Sequence, residues 1–127
     1  MAVAVRETIT DVDRVATAVL DSYTERGEPA LESQLVEFLD LPSNLGSIRT
    51  VTAEGERTVE IVLDAEMEAA ALTPGIWRVS GRGWAVRVLV ALDRIGHAHP
   101  ELRGVPCLLQ PYWITDEGVG FGACEIP

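Results

Sequence analysis

The spacing of the apolar residues changes along the chain, and this change constrains the fold more than any other feature of the sequence. Near the N-terminus they recur at steps of three and four residues, the period of an amphipathic helix. After Ile48 they recur at every second residue, the period of a half-buried β-strand. The sequence therefore predicts an α+β fold, and we expect residues 1–127 to form a single domain.

The helical period predicts two helices that follow each other closely. The first would be capped by Thr10 and would end at Gly27, whose backbone can adopt the left-handed conformation of a helix terminus. Its apolar face would be formed by Val12, Val15, Ala16, Val19, Leu20 and Tyr23. The second would start at Pro29 and stop before Pro42. Its stripe would be formed by Leu31, Leu35, Phe38 and Leu39.

The alternating period predicts hairpins in the rest of the chain. The first would join residues 48–52 to 58–63, and the second would join 76–80 to 84–91 through a turn at 81–83. One or two irregular strands are predicted within residues 105–126, around a turn at 116–118. Between these strands, residues 64–72 would form a short helix, and residues 97–104 a loop or a loop with one helical turn after Pro100. A helix over residues 84–95 is the competing prediction for the strand at 84–91, but its three β-branched valines favour the strand. The predicted fold is an N-terminal helical pair packed on one face of an antiparallel sheet built from two or three hairpins.

The charge of the chain argues against two classes of partner. The net charge is −10, with 20 acidic residues against 10 basic ones, and all of the basic residues are arginine. Nucleic acids and anionic membrane surfaces attract positively charged proteins, so neither is an expected partner. The absence of lysine also excludes Schiff-base chemistry and a P-loop lysine.

The cysteines and the apolar runs favour a cytoplasmic location. Cys107 and Cys124 fit no zinc-binding spacing and are too few for a disulfide framework. Residues 1–6 are too short and too weakly apolar for a signal peptide. The longest apolar run, residues 86–92, is interrupted by Arg87 and is too short to span a membrane.

A metal site is one hypothesis for the two histidines. If residues 97–99 were extended, His97 and His99 would point the same way and could bind one ion. A third ligand would have to come from Asp93, Glu101 or Cys107. A pair of exposed loop histidines is the simpler interpretation, because no third ligand is defined.

No catalytic residue and no cofactor is predicted. Carboxylates are available for acid–base chemistry, but the sequence brings no two of them together. They include Asp11, Asp13, Glu60, Asp64, Glu66 and Glu68. The glycine-rich stretch 118–122 is not a dinucleotide fingerprint, because only five residues follow it and they leave no room for the helix that such a motif requires.

The aromatic residues concentrate in the second half of the chain and suggest two kinds of binding surface. Tyr112, Trp113 and Phe121 are candidate interface anchors, because they lie in a loop-like context and such side chains dominate interface energies. Trp77 and Trp84 are candidate ligand-binding residues in a pocket between the helical pair and the sheet. Ordinary packing within the sheet is the alternative for all five.

The leading functional hypothesis is a non-enzymatic protein–protein interaction subunit, or an accessory or adaptor factor of a larger assembly. Its partner would be another protein or a second copy of the chain, and a homo-oligomer is expected. The alternative is a small-molecule-binding domain or small enzyme, with its pocket between the helical pair and the sheet.

Overall fold

The first described element is an amphipathic helix, as the sequence predicts. The computed structural model describes residues 11–33 and 48–127, and α1 spans Asp11–Glu25. Its buried residues are Val12, Val15, Ala16, Val19 and Tyr23. After the helix Gly27 has a φ of +72°, which confirms the predicted left-handed terminus. The predicted cap, Thr10, lies outside the described residues.

Within residues 11–33 and 48–127, six strands form one mixed sheet in which spatial order follows chain order. The strands are β1 (Leu31–Ser33), β2 (Ile48–Ala53), β3 (Thr58–Leu63), β4 (Ala85–Ala91), β5 (Leu108–Thr115) and β6 (Gly118–Phe121). The β1–β2, β2–β3 and β5–β6 pairs are antiparallel. The central pairs, β3–β4 and β4–β5, are parallel. The predicted first hairpin (β2–β3) and the predicted turn at 116–118 (β5–β6) are therefore confirmed.

Two helices make the crossovers that the parallel pairs require. The connection from β3 to β4 contains a 3₁₀ turn (Ala69–Leu72) and α2 (Thr73–Gly81). The connection from β4 to β5 contains a 3₁₀ turn (Leu92–Arg94) and α3 (Ile95–Glu101). Two parallel strands cannot be joined by a tight turn, so each of these connections must return along the length of a strand.

The predicted antiparallel sheet with a helical pair on one face is wrong. Residues 76–80 were expected to form a strand, but they lie in α2, so β4 has no hairpin partner before it and pairs parallel to β3. Pro74 stands in the first turn of α2 rather than at the end of a preceding helix, a position that suits a residue without an N–H. Ile76 and Val79, three residues apart, both turn inward to the core.

Three smaller predictions also fail or fall outside the described chain. Residues 31–33 form β1, with Leu31 opposite Thr52, rather than the start of a second helix. The rest of that predicted helix lies outside the described residues. The predicted loop at 97–104 is largely α3, and the predicted helix at 64–72 is reduced to the 3₁₀ turn at its end.

The helices lie on opposite sides of the sheet, which gives the domain two apolar cores. α1 contacts β1, β2, β3 and β6, so the sheet curls around it into a half-barrel. On this concave side, Val51, Val62 and Leu89 pack against α1. On the convex side, Ile61, Val88 and the other alternate residues of the strands pack against α2, α3 and the first 3₁₀ turn. Since successive side chains of a strand point to opposite faces, each central strand contributes to both cores.

Candidate functional site

The two histidines of the metal hypothesis lie in a helix, where they diverge. Side chains two residues apart on an α-helix point roughly 200° apart, so His97 and His99 in α3 do not face one ion. His99 Nε2 lies 2.8 Å from Glu125 Oε1, which ties α3 to the C-terminal segment. Across residues 11–33 and 48–127, no three His, Cys, Asp or Glu side chains are grouped so that they could hold a metal ion.

The three candidate interface anchors do not form one surface. Tyr112 is buried on the concave side, and its hydroxyl donates a hydrogen bond of 2.7 Å to the Leu63 carbonyl. Phe121, opposite Tyr112 on β6, is half-buried against the same core. Trp113, the next residue after Tyr112, points to the convex side and keeps 38 % of its surface exposed. Of the three, Trp113 alone presents most of its ring outside the α1 core.

The indole of Trp113 packs on the neighbouring strand of its hairpin. Its ring lies over Gly120, the residue opposite it on β6, and a Cβ at Gly120 would collide with the indole. Pro111 and Gly122 extend the same arrangement one pair further along the hairpin. An aromatic ring laid over a strand glycine covers backbone that has no side chain of its own. This packing gives Trp113 a structural role within the sheet.

The two candidate ligand-binding tryptophans flank the end of α2 rather than a hairpin turn. Trp77 lies in α2 and is 55 % exposed. Trp84 follows the helix, is partly buried against the convex core, and lies 5.3 Å from the guanidinium of Arg57. Neither tryptophan borders the cavity that described residues form between the helices and the convex side of the sheet. That cavity, bordered by His97 and Met67, has a volume of about 10 Å³, the space of roughly one water molecule.

A buried ion pair on the concave side is the most polar feature of the sheet. Glu60 in β3 is 2 % exposed, and its Oε1 accepts a hydrogen bond of 2.6 Å from Nη1 of Arg87, which lies opposite it in β4. The hydroxyl of Tyr23 in α1 lies beside the same carboxylate. Burial and the negative charge of Glu60 raise the pKa of Tyr23, so this hydroxyl stays protonated. Burial is the largest single effect and disfavours the charged form of Arg87, but Glu60, Cys124 and Tyr23 together favour it more, so the pKa of Arg87 is raised.

The chemistry of this pair points to a structural role. An arginine side chain stays protonated at ordinary pH, so the guanidinium of Arg87 holds the Glu60 carboxylate in an ion pair. The Nε of Arg87 is buried and has no hydrogen-bond partner among the described residues. Because this atom is shielded from solvent, a ligand cannot reach it without rearrangement of the surrounding side chains. The pair fixes α1, β3 and β4 relative to each other.

Glu60 and Arg87 are both conspicuous in the sequence, yet the predicted hairpins did not pair them. Each is a single charge within an otherwise apolar strand, flanked by Val59 and Ile61 or by Val86 and Val88. Opposite charges that interrupt two buried strands are a signal for cross-strand pairing. That signal was usable only with the parallel register, which places Glu60 directly opposite Arg87.

A groove at the C-terminal end of α1 is the largest candidate binding surface among those described. Its volume is about 770 Å³, within the range of ligand and peptide sites. The walls come from three separate segments: the end of α1 with the chain up to β1, strand β2, and the β2–β3 turn. Its lining residues are Thr24, Gly27, Glu28, Pro29, Ala30, Leu31, Thr52, Glu54 and Gly55. The sequence did not predict this groove, because residues from Pro29 onward were expected to form a helix.

The groove combines an apolar floor with negative charge. Pro29, Ala30 and Leu31 supply the apolar surface, and the Leu31 side chain is 75 % exposed. Glu28 and Glu54 supply carboxylates, and none of the described lining residues is basic. A second groove, of about 480 Å³ between α1 and the β5–β6 turn, contains Arg14 beside its acidic residues and has no comparable apolar floor. The first groove therefore suits a ligand that is both cationic and apolar.

Comparison of the chain with protein-family models, with curated proteins and with solved structures finds no match. None of the helices within residues 11–33 and 48–127 is long and apolar enough to cross a membrane.

Proposed function

We propose that the chain is a non-enzymatic protein-interaction subunit, and that the groove at the C-terminal end of α1 binds an extended segment of a partner protein. The observation that carries the proposal is the exposed apolar floor around Leu31, flanked by the carboxylates of Glu28 and Glu54. The partner segment would carry an arginine or lysine next to an apolar side chain. A reducing cytoplasm is the proposed location, which agrees with the two unpaired cysteines.

Leu31 lies at a position that favours the binding of an apolar group. Exposed leucines are common on protein surfaces, and a single one needs no explanation. Leu31 differs because it lies in a concave surface next to Pro29 and Ala30, where a partner can cover several apolar groups at once. Apolar residues at the centre of a concave patch are where interface energy concentrates.

Two carboxylates give the groove its negative charge. Glu28 and Glu54 line the groove without a basic residue beside them in its described lining, in a chain whose net charge is −10. Complementary charge accelerates association and disfavours acidic partners. Charge and shape therefore favour the same class of segment.

Strand β1 lies at an edge of the described sheet, where its backbone can pair with a partner segment. Among the described strands, β1 pairs with β2 on one side and with no strand on the other. An extended peptide can add to such an edge through main-chain hydrogen bonds while its side chains enter the adjacent groove. This mode needs no catalytic group and no cofactor.

Selection of random peptides displayed on phage against the immobilised protein tests the proposal. We expect the selected sequences to be enriched in arginine or lysine beside aliphatic or aromatic residues. For a synthetic peptide from that set, calorimetry should give a Kd at least about tenfold weaker with Leu31→Asp or with Glu28→Gln/Glu54→Gln.

The matched control is Leu92→Asp, because Leu92 is also an exposed leucine, 51 % exposed, but lies after the carboxyl end of β4. It should leave the Kd unchanged, and circular dichroism should show the same fold for all variants. Acidic selected peptides, or binding that is insensitive to Leu31→Asp, would rule the groove out as the binding site.

A further inference from the structure

The end of the molecule that carries the groove also carries a cluster of arginine and tryptophan residues. We call it the arginine corner and define it as Arg57, Arg78, Arg82, Trp77 and Trp84. Arg57 joins the two elements of this corner, because its Nη2 donates a hydrogen bond of 2.8 Å to the Arg82 carbonyl at the end of α2. The same guanidinium lies over the ring of Trp84.

The remaining members of the arginine corner come from α2. Arg78 and Arg82 are four residues apart at the end of this helix, so their side chains lie on the same side of it. Both are exposed. Trp77 precedes them and is the most exposed tryptophan in the protein, at 55 %. Tryptophan and arginine are the residues most enriched among interface hot spots.

The groove and the arginine corner are neighbours, because one turn contributes to both. Glu54 and Gly55 of the β2–β3 turn line the groove, and Arg57, two residues after Gly55, belongs to the corner. Arg57 therefore connects the arginine corner to the turn that lines the acidic groove. The groove is acidic and has an apolar recess. The arginine corner is basic and has an exposed indole that can fill such a recess.

We propose that the occupant of the groove is the arginine corner of a second copy of this chain. Complementary patches at one end of the molecule satisfy the requirement of a two-fold dimer, in which each copy offers both halves of the same contact. With the two-fold axis beside the β2–β3 turns, Trp77 of each copy enters the apolar floor of the other's groove. Arg78 and Arg82 then face Glu28 and Glu54. This inference rests on the proposed function of the groove; it keeps a cationic and apolar occupant but makes it the helical end of α2 in a second copy instead of an extended segment.

Charge reversal in native mass spectrometry tests the dimer. One variant carries Arg78→Glu/Arg82→Glu and is acidic at both patches, and the other carries Glu28→Arg/Glu54→Arg and is basic at both. The wild type should be a dimer of 13.8 kDa subunits. Each variant alone should dissociate at least about a hundredfold more readily, because like charges then face each other. An equimolar mixture should restore the dimer as a heterodimer, since both contacts are complementary again.

The control is Arg14→Glu/Arg94→Glu, which changes the net charge by the same amount as Arg78→Glu/Arg82→Glu. Its two positions lie at the opposite end of the molecule, so the dimer should stay intact. A dimer that resists both reversals, or a mixture that stays monomeric, overturns the proposal. A monomeric wild type also overturns it. If the wild type is monomeric while the phage-selected peptide still depends on Leu31, the groove remains a binding site for a different protein, and the proposed function stands. If that dependence is also absent, both proposals fail.

Discussion

At the scale of single residues, the fold depends on the pairing of one buried carboxylate with one arginine. Glu60 is almost fully buried, whereas the side chain of Arg87 keeps about a third of its surface exposed. Removing one partner of such a pair leaves the other charge without compensation in a poorly hydrated place. Because Nε of Arg87 already lacks a hydrogen-bond partner in the described chain, the loss of Glu60 would leave its guanidinium with still fewer.

Glu60→Gln is expected to lower the free energy of unfolding by about 2–3 kcal/mol, because a neutral amide replaces the charge that compensates Arg87. Urea denaturation followed by circular dichroism measures this quantity. The control is Glu117→Gln, an exposed acid in the β5–β6 turn, for which the change should stay within about 0.5 kcal/mol. Equal effects of the two substitutions would show that the ion pair does not stabilise the fold.

Two further side chains, the half-buried Cys107 and the buried Tyr112, contribute to the response of the protein to alkaline pH. Burial raises the pKa of Cys107 from 9.0 to about 11. Burial, together with the negative charge of Asp64 and other acids, raises the pKa of Tyr112 from 10.0 to about 12. In both cases the unfolded chain loses its proton at a lower pH than the folded one. Stability is therefore complete below the unfolded values and is lost as the pH rises from about 9 to about 12.

Tyr112→Phe separates the contribution of Tyr112 to the pH dependence of stability from that of Cys107. At neutral pH it should cost about 1 kcal/mol, because the hydrogen bond to the Leu63 carbonyl is lost. Above pH 10 it should flatten the decline in stability, since one of the groups that resists ionisation is gone. Urea denaturation at a series of pH values gives both numbers, and parallel pH profiles for variant and wild type would refute the assignment.

At the scale of elements, the packing of Trp113 on Gly120 determines the β5–β6 hairpin. A methyl group on Gly120 would occupy the space of the indole. Gly120→Ala should therefore lower the free energy of unfolding by about 1–2 kcal/mol, since the ring has to move. Gly96→Ala is the control, because a Cβ at Gly96 would have no neighbour within 4 Å, and it should cause no loss.

A double-mutant cycle measures whether the two residues act together. In the Trp113→Ala background the space is empty, so Gly120→Ala should then cost little. Urea denaturation of the four proteins gives the coupling free energy. If the cost of Gly120→Ala is the same in both backgrounds, the contact between ring and glycine is not its cause.

The elements that could be predicted from the sequence are those whose partners are local. α1 has a clear helical period, and in the β2–β3 hairpin the strands are joined by a short turn. The failures arose where the partner is distant in the chain. Ile76 and Val79 fit a short strand as well as one face of a helix, and only the parallel pairing of β3 with β4 requires the helix.

The candidate site could not be predicted for a related reason. The groove is assembled from the end of α1, β2 and the β2–β3 turn, and no single stretch shows its combination of Leu31 with two carboxylates. The aromatic residues, by contrast, could be identified in the sequence, but the face of the sheet on which each one lies could not be predicted. Tyr112 and Trp113 are adjacent in β5 and point to opposite faces, so a shared interface role was inferred from proximity in sequence alone.

At the scale of the whole molecule, the charge is distributed in a way that net charge does not reveal. The overall value of −10 argues against nucleic acids. At the end that carries the β2–β3 turn, however, an acidic groove and the arginine corner lie side by side. This arrangement makes that end of the molecule, rather than the hairpin around Trp113, the proposed binding surface.

Hydrogen–deuterium exchange of the Arg78→Glu/Arg82→Glu variant, whose groove no second copy fills, with and without the phage-selected peptide, tests this binding surface most directly. We expect slower exchange of backbone amides in residues 24–31 and 52–55, the segments that line the groove, when the peptide is present. The amides of the β5–β6 hairpin should exchange at the same rate in both samples. Protection confined to that hairpin, with no change in the groove segments, would show that the groove is not the binding surface.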